Sequence, residues 1–207
     1  MIPRVLIIEA KAGEAILSAY RILTNMSCNY YFATMLNSRD VVKSSTAFCK
    51  AHHWVYLENA YIDPILDQFT VPRLGVYTNF QDQENVYLAY YQNEMLKVKQ
   101  RVDYLIKKVN PTHIVTNCGC ISMYNIFIRF CVQKMFDKVF YYAEKPQTTK
   151  TDYLAVNELL LKQKIIKHSL SSKEIKEKIK IYKKYYGEDI LKLYPNIFTY
   201  PEELIKL

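Results

Sequence analysis

Side chains able to do chemistry gather in short stretches between apolar runs. In "EAKAGE", residues 9–14, Lys11 and Glu14 stand three apart around Gly13. On a tight turn they can pair, as a structural ion pair or as a fixed positive charge facing a ligand. Arg39, in "NSRD" at 37–40, is a second cation. Lys11, Arg39 and the first amides of a following helix favour an anionic group such as phosphate or carboxylate, although Arg39 alone also reads as a solvated helix start. In "NCGCIS", residues 117–122, Asn117, Cys118, Cys120 and Ser122 offer amide, thiol and hydroxyl groups. The Cys-x-Cys spacing is not the two-residue spacing of common zinc knuckles, and no His or Asp stands where it would activate a cysteine nucleophile. The ligand-binding candidates are therefore Lys11, Gly13, Glu14, Arg39, Asn117, Cys118, Cys120 and Ser122.

The elements that must position them read as alternating strands and helices. Residues 4–10, 30–36, 53–57, 113–117 and 138–143 are short, apolar and rich in β-branched or aromatic residues, as buried parallel strands are. Residues 14–25, 39–51, 85–109 and 121–136 carry apolar positions at helical spacing, and Asn110-Pro111 ends the third of these. The expected fold class is α/β, with right-handed βαβ units and a mostly parallel sheet covered on both faces. Ligands in such sheets sit at the carboxyl ends of the strands, which selects residues 9–14, 36–40, 58–63 and 116–122.

A chain of 207 residues, half of them hydrophobic, can bury a core as one domain spanning 1–207. We expect an α/β core over 1–150, interrupted by an insertion at 58–84, and a helical C-terminal cap over 151–207. The net charge of +8 lies late. Lysines crowd residues 162–184 among isoleucines at helical spacing, which reads as an amphipathic helix pair with a solvated basic face more than as a nucleic-acid surface. Five cysteines are an odd number and do not form a disulfide scaffold; we expect thiols, no secretory leader and a cytoplasmic protein without a membrane span. Tyr61, Tyr77, Tyr87, Tyr90 and Tyr91 fall in or beside the insertion, where they suit a sugar or nucleotide platform or, equally, a protein partner docking on 58–91.

The frame "VLIIEA-KAGEA-ILSAYRIL", the strand and Arg-bearing turn "YYFATMLNSRD", the segment "VVKSSTAFCKAHHWVYL", the strand "PTHIVTN", then "VFYYAEKP" and the expected helix "LLKQKIIKHSLSS" follow one another in order. In that order they resemble the PIG-L/LmbE-like N-acetylglucosaminide deacetylases, zinc hydrolases with a Rossmann-like fold. The resemblance implies strand order 3-2-1-4-5. It places Lys11 at the first ligand His, Gly13 at the catalytic Asp, Glu14 at the ligand Asp and Ala15 at the following Glu. An ammonium repels Zn²⁺, and glycine cannot be a general base. Residues 118–125, "CGCISMYN", where the third ligand would lie, contain no histidine. His52 and His53 fall at the start of the third strand, His113 at the start of the fourth, and His168 on a C-terminal helix.

These replacements imply a deacetylase fold without catalytic residues or cofactor, binding an amino-sugar, nucleotide-sugar or other anionic ligand at the strand ends. Two alternatives stand beside it. One is a divergent N-deacetylase with zinc on Glu14, Cys118 and Cys120; the other is a protein interaction module.

Overall fold

The computed structural model describes residues 2–58, 91–118, 123–142, 165–189, 192 and 197–206. Its first strand, β1 (Arg4–Glu9), explains the layering. Leu6 and Ile8 point to one face and Val5 and Ile7 to the other, and all four are buried. A strand apolar on both sides needs cover on both sides. It pairs in parallel with β2 (Asn29–Thr34) and with β4 (His113–Asn117); β2 pairs with β3 (Val55–Tyr56), and β4 with β5 (Val139–Tyr142).

Helices α1 (Glu14–Thr24) and α2 (Arg39–Ala51) pack on the face that holds Val5, Ile7, Phe32 and Val115. Helices α3 (Gln92–Val109) and α4 (Met123–Met135) cover the face that holds Leu6, Ile8, Ile114 and Tyr141. The expected helical spacing is what does this: Val98, Val102, Leu105 and Val109 form the buried stripe of α3. Asn110 then takes a left-handed conformation, φ 47°, just before Pro111 and closes the helix.

With β6 at Ile165–His168 and β7 at Glu202–Lys206, the sheet order is β3-β2-β1-β4-β5-β7-β6, so the expected α/β class and the run 3-2-1-4-5 are found. The C-terminal part departs from an all-helical cap. Strands β6 (Ile165–His168) and β7 (Glu202–Lys206) extend the sheet as antiparallel neighbours of one another, and β7 is antiparallel to β5. Between them lies a single described helix, α5 (Ser172–Tyr186), and a short 3-10 turn at Ile197–Thr199. The anticipated helix pair over 162–184 is therefore one helix preceded by a strand. Adjacent isoleucines at 165 and 166 fit a two-sided strand as readily as a helix face. His168 accordingly ends β6 rather than lying on a helix, and it meets Glu174 at 3.0 Å.

Helix α5 starts at a capping box between Ser171 and Glu174. It turns Ile175, Ile179, Tyr182 and Tyr186 toward α1 and α2 and leaves Lys173, Lys176, Lys180, Lys183 and Lys184 exposed. Lys178 is the exception in that basic run: it is buried, with Nζ 2.5 Å from Oε1 of Glu202 on β7.

The third strand is shorter than the expected 53–57. Residues 52–54 are taken by the end of α2, where His53 adopts a left-handed conformation, φ 57°, and the Trp54 amide donates back to the Cys49 carbonyl at 2.8 Å. Cys28, Cys49, Cys118 and Cys131 are free thiols among the described residues. No described helix is long and apolar enough to cross a membrane. The insertion from residue 59 onward, with Tyr61, Tyr77, Tyr87 and Tyr90, lies outside the described residues, as do Cys120 and Ser122.

Candidate functional site

An acid at the end of an otherwise apolar strand needs a reason, and Glu9 has one. Its side chain is fully buried, with Oε1 accepting from the Gly13 amide at 2.7 Å and Oε2 from the Ala15 amide at 2.8 Å. These are amides that a helix N-terminus leaves without internal partners, and they sit at the positive end of the α1 dipole. Gly13, the N-cap of α1, has no side chain to do this work. Glu9 performs it from the strand, so the 10–12 turn folds around the carboxylate.

Gly13 is held to glycine twice over. Its φ of 96° lies in the left-handed region, and a Cβ there would come within 3.1 Å of Cε2 of Tyr182 and 3.3 Å of Cγ of Tyr186. The two tyrosines of α5 thus close the back of the turn. The Tyr186 phenol is pushed well above its ordinary range, first by burial and then by the Glu9 charge. The Cys49 thiol is pushed up to about 12 by burial, with the same carboxylate adding to it.

Glu14 opens α1 and is also buried, at 5% exposure. Both of its carboxylate oxygens accept from Nδ2 of Asn125, at 3.2 and 3.1 Å, and Nδ2 of Asn117 lies 3.5 Å from Oε2. Asn125, in the first turn of α4, accepts the Ala10 amide on Oδ1 at 3.2 Å. One buried amide therefore ties together the end of β1, the start of α1 and the start of α4. At the end of β2 a second polar group forms: Thr34 Oγ1 is hydrogen-bonded to Asn37 Oδ1, and the Tyr56 hydroxyl lies 3.0 Å from the first and 3.3 Å from the second. Burial raises the Tyr56 pKa.

The arrangement brings Gly13, Glu14, Asn117 and Cys118 together at the carboxyl ends of β1 and β4, where the strand-end rule places a ligand. Cys118 is buried, and its amide donates to the Tyr142 carbonyl at 2.9 Å. Lys11 is exposed on the turn and Arg39 is exposed at the first position of α2, after the Ser38 cap. The α1 amides of Gly13 and Ala15, expected to favour an incoming anion, already donate to Glu9.

A hydrolytic zinc, which the resemblance in the sequence implies, needs about three converging imidazole, thiolate or carboxylate donors and an open position for water. The described residues do not fit that requirement. Glu14 has both oxygens on an amide donor, Lys11 is a cation, and no group of three His, Cys, Asp or Glu among the described residues could hold a metal ion.

Sequence reasoning missed Glu9, Thr34, Asn37, Tyr56 and Asn125 as parts of this site. Two signals were present: Glu9 ends the run "RVLIIE", and Asn125 is the polar residue within "MYNIFI". A polar side chain where the pattern requires burial asks for a partner.

No protein-family model matches the sequence, and no curated protein matches it. Among solved structures, the fold matches that of a deacetylase–teicoplanin complex from the biosynthesis pathway of teicoplanin, with a TM-score of 0.62 and 14% sequence identity over 98% of this chain and 97% of the other. At that identity the likeness is one of architecture, and it spans both chains almost end to end: the chain has a deacetylase-like α/β fold.

Proposed function

We propose that the protein uses this deacetylase-like fold for binding rather than for zinc-dependent hydrolysis, and that its ligand is an amino-sugar or a phosphorylated sugar. One observation carries the reading. The carboxylate of Glu14, at the strand-end position where the resemblance places a metal ligand, is occupied on both oxygens by the Asn125 amide. An amide N–H offers no lone pair to a metal, and the motif's neighbouring positions hold Lys11, a cation, and Gly13, which has no side chain to act as a base.

The surrounding chemistry suits a ligand with two kinds of group. Buried carboxylates at Glu9 and Glu14 give the floor a negative bias that favours hydroxyl or ammonium donors. Exposed Lys11 and Arg39 stand at the ends of β1 and β2 and can meet a phosphate or carboxylate from solvent.

The test has two arms on the full chain purified without chelator or added metal. Elemental analysis should find no stoichiometric zinc, and acetate should not be released from an N-acetylglucosamine conjugate. A screen with glucosamine 6-phosphate and uridine-diphosphate sugars should find a binder whose affinity falls in Lys11→Ala. About one zinc per chain, lost in a Cys118→Ser, Cys120→Ser double variant, would instead establish the divergent hydrolase.

A further inference from the structure

The sheet carries a second concavity at the opposite edge, where the parallel strands begin. Pro3, Val5, Val115, Phe140 and Leu204 wall a cavity of about 90 Å³, and Met26 and Ile166 stand at its sides. The last two are large apolar side chains that remain 38% and 37% exposed, so the cavity opens to solvent through an apolar mouth. Protein interiors leave few voids of this size, and an apolar one stays dry and accepts apolar guests.

Charge is concentrated on one side. His113 contributes to the wall and packs its ring 5.8 Å from that of Phe140. Lys206 is the register partner of Phe140 and alternates with Leu204 onto the same sheet face, and Lys138 immediately precedes β5. Burial and these two lysines together hold the His113 imidazole below its usual range. An apolar cavity whose His113 and Phe140 wall has two exposed lysines as neighbours has the complementarity of an amphiphile with an anionic end.

We propose that this cavity binds the alkyl chain of a short- or medium-chain carboxylate, with Lys138 and Lys206 meeting the carboxylate at the mouth. The site is separate from the strand-end site. Val5 and Glu9 mark the two ends of β1, about 13 Å apart along the strand.

The experiment titrates the full chain with butanoate, hexanoate and octanoate, read by methyl NMR shifts and calorimetry, with octan-1-ol and octylammonium as controls. Affinity should rise about fourfold for each methylene that enters the cavity and then level off. Octanoate should bind more tightly than octylammonium, and the methyl shifts should centre on Val5, Leu204 and Ile166. In Lys138→Gln, Lys206→Gln, both exposed positions, octanoate should weaken while octan-1-ol is unchanged. Ile166→Trp, which narrows the mouth, should weaken both, with Met26→Trp as the second blocking variant if the first does not fold. Affinity that ignores chain length, shifts centred elsewhere, or a double lysine variant that binds octanoate as the parent does would each overturn the proposal.

Discussion

The buried pair Lys178–Glu202 joins the C-terminal addition to the sheet to α5 by an ionic contact away from solvent. Each side chain is 1% exposed, and the two are 2.5 Å apart. Glu202 is the better satisfied partner. Its other oxygen accepts from the α1 amides of Arg21 at 2.7 Å and Ile22 at 3.0 Å, so it joins β7, α5 and α1 at one point. Among the described residues Lys178 has that one carboxylate, and its ammonium lies 5.9 Å from the Phe198 ring. Burial lowers the Lys178 pKa, and the Glu202 charge beside it offsets part of that shift. Removing one member of such a pair costs about 3–5 kcal/mol. Lys178→Met should fall near the low end, because two backbone donors remain on Glu202. Glu202→Gln should fall near the high end, because it strands a buried ammonium and turns an amide donor toward other donors. Replacing both, as Lys178→Met with Glu202→Gln, should cost less than the sum of the single changes by about 2 kcal/mol or more. Urea unfolding with unchanged slope reads these differences from the midpoints. Additive single changes, or a Glu202→Gln cost below about 1 kcal/mol, would refute the reasoning, since that is the range of exposed pairs.

Three further outcomes follow from local geometry. Gly13→Ala should cost about 2 kcal/mol or more, since a left-handed residue costs an L side chain about 1–2 kcal/mol before the Tyr182 contact is counted; urea midpoints measure it. His53→Gly should raise stability by about 1 kcal/mol, because His53 holds the left-handed position that ends α2 and glycine takes it without strain; the thermal midpoint should rise, and an unchanged or lower value contradicts the cap. His52 packs on Phe48 at 4.4 Å, and burial, Lys184 and His53 lower its pKa below the ordinary 6.5. The folded state therefore favours neutral His52, and its contribution is complete above about pH 6.5 and lost as pH falls through the lower folded value. Thermal melts of parent and His52→Gln across that acid range should converge as pH falls; parallel curves would remove His52 from the acid response.

The central strands were legible because β1 and β4 are apolar on both faces, a pattern with few other readings at that length. The edge was not. β7 reads "EELIK", and two adjacent glutamates look like a solvated segment until Glu202 is seen accepting from the Arg21 and Ile22 amides of α1 and Glu203 facing Lys167 at 3.4 Å. The lysine run around α5 hid Lys178 for the same reason: sequence pattern counts charge, and only packing decides which charge is inside. At the site, Glu14 and Asn117 could be named from their place at strand ends, whereas Asn125 could not. Its role depends on α4 bringing it against β1, across 115 residues of chain from Ala10.

Glu9 connects these points to function. A helix N-terminus at the end of the first strand is the usual α/β device for holding an anion, and here the protein supplies the anion itself. The carboxylate is covalently fixed and buried, so it competes at an effective concentration no free ligand reaches. On the proposed reading an incoming anion would meet Lys11 and Arg39, both exposed and both screened by salt. On the binding reading proposed above, specificity would come from the polar floor of Glu14, Asn117 and Asn125 and from the hydrogen-bond donors a ligand presents to it. On that reading sugars carrying amino or hydroxyl groups are favoured over simple phosphates, because a bare anion would meet two exposed cations above a negatively biased floor.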